Sequence, residues 1–258
     1  MFVTTIEKTN NVLNQKALRT AEQLGIPYIE RNKRTIKQLQ SYYNQPCLVV
    51  GKIKTELYDL HGIDPLFFHP NMAAVRMKRI EKGEVDPFVR AAGLNQGMSI
   101  LDCTLGMGAD ALIASYIIGS SGKITALELN PFVYFVIKEG LQNYPFKNEK
   151  FGEAAGRIEA VNIDYLTFLK KAEDRSYDVV YFDPMFTERV IESAGIQSLS
   201  SFASYKELTD EAVVEAKRVA KKRIILKDHF RSDRFSRFGF SVEKRKTAKF
   251  HFGVIELE

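Results

Sequence analysis

Between two regular segments of the 258-residue chain stands Asp102-Cys103-Thr104-Leu105-Gly106-Met107-Gly108-Ala109-Asp110. Ser99 to Cys103 reads as a strand and Ala109 to Ile118 as a helix, so these residues form a strand-to-helix loop. Gly106 and Gly108 permit a tight turn and let a ligand approach bare backbone, while the helix behind them presents its amino end. The next strand, Lys123 to Leu129, carries Glu128 twenty positions after Gly108. Nucleotide-binding folds place at that spacing the acid that holds a pair of ribose hydroxyls. Asp164 follows a third strand, Arg157 to Asn162, where its side chain is placed to accept a hydrogen bond from an adenine amino group. Three strand ends therefore converge on one nucleotide-like ligand.

The same rhythm extends in both directions. Helices are expected at Pro131 to Gln142 and Tyr165 to Lys171, a strand at Tyr177 to Phe182, and a long helix at Tyr205 to Ala220. A strand at Arg223 to Leu226 and two closing strands, Phe240 to Lys246 and Phe250 to Leu257, complete the series. Alternation of this kind predicts a mostly parallel sheet with helices on both faces and ligands at the carboxyl ends of its strands. Toward the amino terminus, apolar residues recur at helical spacing from Asn11 to Leu24, and Gly25 with Pro27 stops that helix. Cys47 to Val50 and Glu56 to Leu60 read as a strand pair, Asn71 to Glu81 as a basic helix, and Asp86-Pro87 as the start of a helix that ends at Gly93. The polar turn Asn95-Gln96-Gly97 divides the chain into an α+β amino-terminal region with linker helices, residues 1–94, and an α/β domain, residues 95–258.

Composition is that of an ordinary globular protein, with 45% hydrophobic and 27% charged residues. The start MFVTTIEKTNNVLNQK lacks a secretory pattern and no apolar run has membrane-spanning length, so the expected location is the cytoplasm, with no membrane partner. Cys47 and Cys103 are too few for a disulfide scaffold and read as buried small hydrophobes; no metal site is expected. The net charge of +5 is concentrated near the end: thirteen Lys and Arg lie between Lys217 and Lys249, opposed by Asp228, Asp233 and Glu243. That segment suits RNA phosphates, with Phe230, Phe235, Phe238 and Tyr205 available for stacking, although a solvated helix face and a packed core explain the same residues. His229 is assigned no catalytic role.

A dinucleotide oxidoreductase uses G-x-G-x-x-G, which this loop lacks; Asp102, Thr104, Gly106 and Gly108 instead resemble the D-x-T-x-G-x-G form common in methyltransferases, and the implied ligand is S-adenosylmethionine. The fourth strand ends in Asp183-Pro184-Met185-Phe186. This resembles the [D/N/S]-P-P-[Y/F/W] signature of enzymes that methylate a planar exocyclic amine, with Met185 at the second proline. Such an amine is a poor nucleophile because its lone pair is delocalised into the ring. Asp183 and the Pro184 carbonyl can accept its two N–H groups and localise that pair, and Phe186 can stack on the base.

DCTLGMGAD (102–110), LELN (127–130), YFDPMF (181–186) and the looser PLFFHPNMAAVRMKRIEKGEVDPFVRAAGL (65–94) together resemble the RsmJ-type methyltransferases, which methylate a guanine N2 amine of small-subunit ribosomal RNA. The resemblance implies a Rossmann-like class I fold with a central, mostly parallel seven-stranded sheet. It also implies that Ala109-Asp110, Glu128-Leu129, Asp164-Tyr165 and Asp183 line the cofactor, and that the partner is ribosomal RNA or the small ribosomal subunit. The sequence departs from that family at Ala109, where arginine is common, and at Asp164-Tyr165, where small hydroxyl residues are common. It departs again after Phe186, where Thr187-Glu188-Arg189-Val190-Ile191-Glu192 replaces proline and basic residues. A methyltransferase acting on a protein or small molecule, and a non-catalytic RNA-binding module, are the alternative readings. Oligomeric state is not legible.

Overall fold

The computed structural model describes residues 1–60, 64–184, 199, 202, 207–245 and 248–258. The first elements are β1 (Phe2–Thr5), α1 (Asn11–Leu24), α2 (Ile36–Tyr43), β2 (Cys47–Val50), β3 (Thr55–Tyr58), α3 (Asn71–Glu81) and α4 (Pro87–Ala92). Then come β4 (Ser99–Asp102), α5 (Ala109–Ile118), β5 (Lys123–Glu128), α6 (Pro131–Asn143), α7 (Glu149–Gly156), β6 (Ile158–Asn162), α8 (Tyr165–Lys171) and β7 (Tyr177–Phe182). The last are α9 (Asp210–Val219), β8 (Ala220–His229), α10 (Arg234–Phe238), β9 (Ser241–Val242) and β10 (Phe250–Glu256). Among the described residues, no helix is long and apolar enough to cross a membrane.

The described residues pack as two compact units, one drawn from residues 1–69, 130–145 and 191–203, the other from residues 70–129, 146–190 and 204–258. The smaller unit holds a three-stranded sheet in the order β1-β2-β3, with β1 parallel and β3 antiparallel to β2. Phe2, Leu39, Cys47 and Val49 form its buried cluster. The pair β2–β3 matches the expectation, with β3 ending at Tyr58 rather than Leu60. β1 and α2 are additions. The run Phe-Val-Thr-Thr is four residues long and finds its partner at Cys47–Val50, so no local turn signal marks it. α2 carries a capping box in which the Thr35 hydroxyl accepts from Gln38 N at 3.1 Å and the Gln38 side chain accepts from Thr35 N at 2.8 Å.

The larger unit is built on seven strands in the order β6-β5-β4-β7-β8-β10-β9; β6 through β8 run parallel and β10 runs antiparallel to both neighbours. This is the expected α/β class. Strand alternation supplies two buried faces. On one, Leu101, Leu127, Val180, Phe182, Ile224 and Leu226 pack with Leu169 of α8 and with Ala212, Val213 and Ala216 of α9. On the other, Tyr181 meets Phe88 of α4 at 4.6 Å between ring centres. Each large apolar side chain so buried contributes on the order of 1.5–3 kcal/mol. From β4 the chain moves outward through β5 to β6 and then returns to the opposite flank of β4 as β7, which puts the switch-point crevice at the carboxyl ends of β4 and β7.

In the larger unit three elements differ from the sequence reading by more than two residues at an end. The helix expected from Tyr205 begins at Asp210, where the Thr209 hydroxyl caps it by accepting from Ala212 N at 3.2 Å; Tyr205 itself lies outside the described residues. The fifth strand runs for ten residues rather than four, because its polar positions Lys221, Lys222, Lys227 and Asp228 hide a ladder that β7 and β10 complete. The closing strand at Phe240 shrinks to Ser241–Val242. The division of the chain also differs: α3 and α4, expected as linkers of the amino-terminal region, pack with the large sheet. Arg76 of α3 is paired to Asp86 at the start of α4 and to Asp110 of α5, so an ion-pair network draws both helices in.

Candidate active site

β4 delivers Asp102 to the carboxyl edge, and the loop after it folds back on that carboxylate. Asp102 Oδ1 accepts from Thr104 N at 2.9 Å, and the Thr104 hydroxyl in turn accepts from Asp183 N at 2.7 Å. One side chain thus ties the end of β4 to the end of β7. Gly106 and Gly108 both have positive φ, 48° and 74°, a backbone region that glycine enters without steric cost. That turn aims Gly106 N at Glu128 Oε2, 3.2 Å away at the end of β5. Asn162 Nδ2 donates to the carbonyls of Glu128 and Leu129, at 2.7 and 3.0 Å, and joins β6 to the same edge.

Behind the loop lies a ladder of alternating charge. Lys227 Nζ, on β8, is 2.6 Å from Asp183 Oδ2 and 3.1 Å from Asp110 Oδ2. Asp110 also accepts from Tyr181 Oη at 2.8 Å and from Arg76 Nη1 at 2.5 Å. Arg76 then grips Asp86 with two parallel bonds, Nε at 2.8 Å and Nη2 at 2.9 Å, the bidentate geometry that favours arginine over lysine. Asp86 caps α4 by accepting from Phe88 N at 3.0 Å. Three carboxylates face two cations along this line.

Burial and charge set the ionisation. Burial pushes Asp102 up to about 8, with Asp110 and Asp183 adding to the rise against the Thr104 N–H bond. Burial also lifts Asp183 to about 6, against the pull of Lys227 and with a further push from Asp110. Asp110 is buried as well, yet Lys227 and Arg76 hold it well below the usual carboxylate range. The Lys227 ammonium is held above its ordinary range by Asp110 and Asp183, which outweigh its burial.

A pH dependence of stability follows for Asp102. The unfolded chain releases this proton near pH 4, whereas the folded chain keeps it to about pH 8. Its folded pKa is raised, so its contribution is complete below about pH 4 and is lost as pH rises to about 8. Asp102→Asn keeps an oxygen acceptor for Thr104 N and carries no charge. Urea melts should show the variant gaining on the parent steadily between those two pH values; a constant difference would mean that Asp102 ionises as it does in the unfolded chain.

The structure brings together Asp102, Thr104, Gly106, Gly108, Glu128 and Asp183 at the carboxyl edge or in the loop that caps it, with Asp110 in the first turn of α5 behind them. Ala109 opens α5, and Pro184 follows Asp183 half-buried. Asp164 Oδ2 caps α8 by accepting from Thr167 N at 3.1 Å. Tyr165 turns its ring to Phe182, 5.6 Å between centres, and donates its hydroxyl to the Glu207 carbonyl at 3.1 Å, while Leu129 is exposed. Met185 and Phe186 lie outside the described residues.

The sequence reading missed Arg76, Asp86, Tyr181 and Lys227 as members of this site. Arg76 carried a faint signal, for helical spacing puts it on the face of Ala73 and Ile80 rather than among the exposed Lys78 and Arg79. Lys227 directly follows the apolar run Ile224-Ile225-Leu226 at the level of Asp183. The donor set suits S-adenosylmethionine, whose sulfonium and ammonium are cationic: the carboxyl groups of Asp102, Glu128 and Asp183 stand at one edge beside the glycine turn.

Comparisons with known proteins agree. The model of a SAM-dependent methyltransferase family, SAM_MT, matches residues 37–247. Uncharacterized protein YpiP of Bacillus subtilis (strain 168) is 43% identical over 255 residues, 99% of each chain. Ribosomal RNA small subunit methyltransferase J of Shewanella pealeana is 26% identical over 189 residues, 69% of this chain and 72% of that one. The crystal structure of a SAM-dependent methyltransferase from Neisseria gonorrhoeae shares the fold with a TM-score of 0.62 at 16% identity, covering 99% of this chain and 96% of that one. With a glycine loop, a strand-end acid and a carboxylate at the switch point of such a sheet, and a family match across most of its length, the chain belongs to the SAM-dependent methyltransferase family.

Proposed function

We propose that this methyltransferase acts on the exocyclic N2 amine of a guanine in small-subunit ribosomal RNA, in the cytoplasm. The observation that carries the reading is Asp183-Pro184 at the end of β7, with its backbone held by Thr104 and its carboxylate held by Lys227. The name borne by the Shewanella pealeana relative supports the same substrate class.

When bound, S-adenosylmethionine supplies an electrophilic methyl group on a sulfonium. The rest is done by the chain. Glu128 holds the ribose hydroxyls, Asp164 the adenine amine, and the loop from Asp102 to Asp110 the remainder of the cofactor, beside Leu129 and Tyr165. Asp183 and the Pro184 carbonyl accept the two N–H bonds of the substrate amine, which draws its lone pair out of conjugation. Lys227 favours the ionised form of Asp183, so that Asp183 is also the acceptor for the proton that the nitrogen sheds once it carries positive charge. Phe186 stacks on the base. No strong base is needed before the bond forms, so alignment dominates; such positioning contributes roughly 7–11 kcal/mol.

The test is transfer of radiolabelled methyl from S-adenosylmethionine to ribosomal subunits and total protein from cells that lack this enzyme, followed by nucleoside analysis. The expected product is N2-methylguanine. Label found only in protein or small molecules would replace this reading with the alternative acceptor, which the acidic residues Glu188 and Glu192 after Phe186 favour.

A further inference from the structure

β8 runs past Lys227 into a turn organised by a buried carboxylate. Asp228 accepts from His229 N at 2.7 Å, Ser232 Oγ at 2.6 Å, and Arg234 Nε and Nη2 at 2.7 and 3.2 Å. These bonds fix the backbone from 228 to 234. Phe230 N also donates to the Lys249 carbonyl at 3.2 Å, which ties the turn to the start of β10. Phe230 stands out from this frame at 43% exposure; among the described residues of the larger unit it is the one aromatic side chain so exposed. Phe235 and Phe238, which the sequence offered equally for stacking, are buried in the core.

The surroundings of Phe230 are cationic and aromatic. The Arg231 guanidinium lies 5.0 Å from its ring centre, and the His229 and His251 rings lie at 4.6 and 6.3 Å. Arg231 is exposed, as is Lys249, whose carbonyl holds Phe230 N; of the acids in the turn, Asp228 is paired with Arg234 and Asp233 is exposed. The patch also follows the end of β8 that carries Lys227. Lys227 touches Asp183 on one side and stands 5.0 Å from the Phe250 ring on the other, and Phe250 pairs with His229 across the ladder. Phe230 follows Lys227 by three residues, at most about 10 Å of chain at strand rise and within the reach of a few nucleotides.

We propose that Phe230 and Arg231 form a stacking platform for an unpaired base of the RNA substrate, beside the nucleotide that is methylated. Every base offers a π-face to such a ring, and the neighbouring cations meet the phosphates on either side. The fixed turn matters because the ring is ordered before the base arrives. This inference rests on the RNA reading above.

The test is fluorescence anisotropy of a short fluorescein-labelled single-stranded RNA on the full chain and on Phe230→Ala, Phe230→Tyr and Arg231→Ala. Phe230→Ala should weaken binding by at least about fivefold and Phe230→Tyr should restore it, since only the ring face is used. Arg231→Ala should lower the dependence of log affinity on log salt by about 0.7, the effect of one phosphate contact on a single strand. Calorimetric affinity for S-adenosylmethionine should stay at the parent value in all three, as a check on folding. Binding by the parent that Phe230→Ala leaves intact overturns the platform and leaves the RNA reading standing. Equal competition by polyglutamate means that charge alone binds and also overturns the platform. A parent chain that binds no RNA overturns both.

Discussion

Asp183→Ala is expected to slow methyl transfer by at least about 100-fold while changing the affinity for S-adenosylmethionine by less than about tenfold. The expectation rests on the proposed amine clamp. One oriented acceptor at the reacting nitrogen is the group removed, and among the described residues no second carboxylate follows it at that strand end. The variant should fold, because Lys227 keeps Asp110 as a partner at 3.1 Å, and the Asp183 N–H that bonds to Thr104 belongs to the backbone. Glu128→Ala should give the opposite pattern, a loss of cofactor affinity larger than the loss of rate at saturating cofactor, since its carboxylate holds the glycine loop through Gly106 N. Single-turnover transfer and calorimetry on the same preparations separate the two quantities. If Asp183→Ala loses both together, Asp183 is first a cofactor ligand and the amine clamp fails.

The second large effect is on stability. Arg76→Met should cost about 3–5 kcal/mol at neutral pH, because it strands buried carboxylates rather than removing a surface pair. Side-chain exposure is 20% for Arg76, 5% for Asp86 and 9% for Asp110, well inside the range where solvent screening is weak. A methionine of similar length keeps most of the packing and none of the charge. The sign with pH is fixed by Asp110, whose folded pKa is depressed. Its contribution in the parent is present above the unfolded carboxylate pKa of about 4 and is lost as pH falls further. The gap between parent and variant should therefore be widest near neutrality and should close in acid, where the stranded carboxylates take up protons. Urea denaturation at both ends of that range measures it. A loss under about 1 kcal/mol at neutral pH would place Arg76 with exposed ion pairs and end the claim that it holds α3 and α4 to the large sheet.

The parts of the fold that were legible are those with local signals. Asp86-Pro87 with Gly93 marked α4, Pro131 marked the start of α6, and the run from Tyr177 to Phe182 marked β7. β1 escaped because its partner lies at Cys47–Val50, and α7 because its apolar face rests on only Phe151, Ala154 and Ala155. The same division runs through the site. Glycine positions, the acid at the end of β5 and the Asp-Pro pair at the end of β7 are spacings along the chain and could be read directly.

Charge could not be read in that way. The basic run from Lys217 to Lys249 looked like one surface, but Arg218 is tied to Asp174 and Glu215, Arg223 to Glu256, Arg234 to Asp228 and Lys227 to the site itself. Arg76, read as part of a basic helix, is turned inward for the same purpose. By itself, then, the sequence determined the sheet class, the glycine loop between β4 and α5 and the strand ends that carry acids, because backbone conformation and hydrophobic period are set by near neighbours. Only the tertiary structure decided which cations are paired inside the protein and which stay exposed. Lys227 and Asp110 are 117 positions apart. Coulomb energy and desolvation depend on what folding brings within a few ångströms, and separation along the chain does not encode that distance.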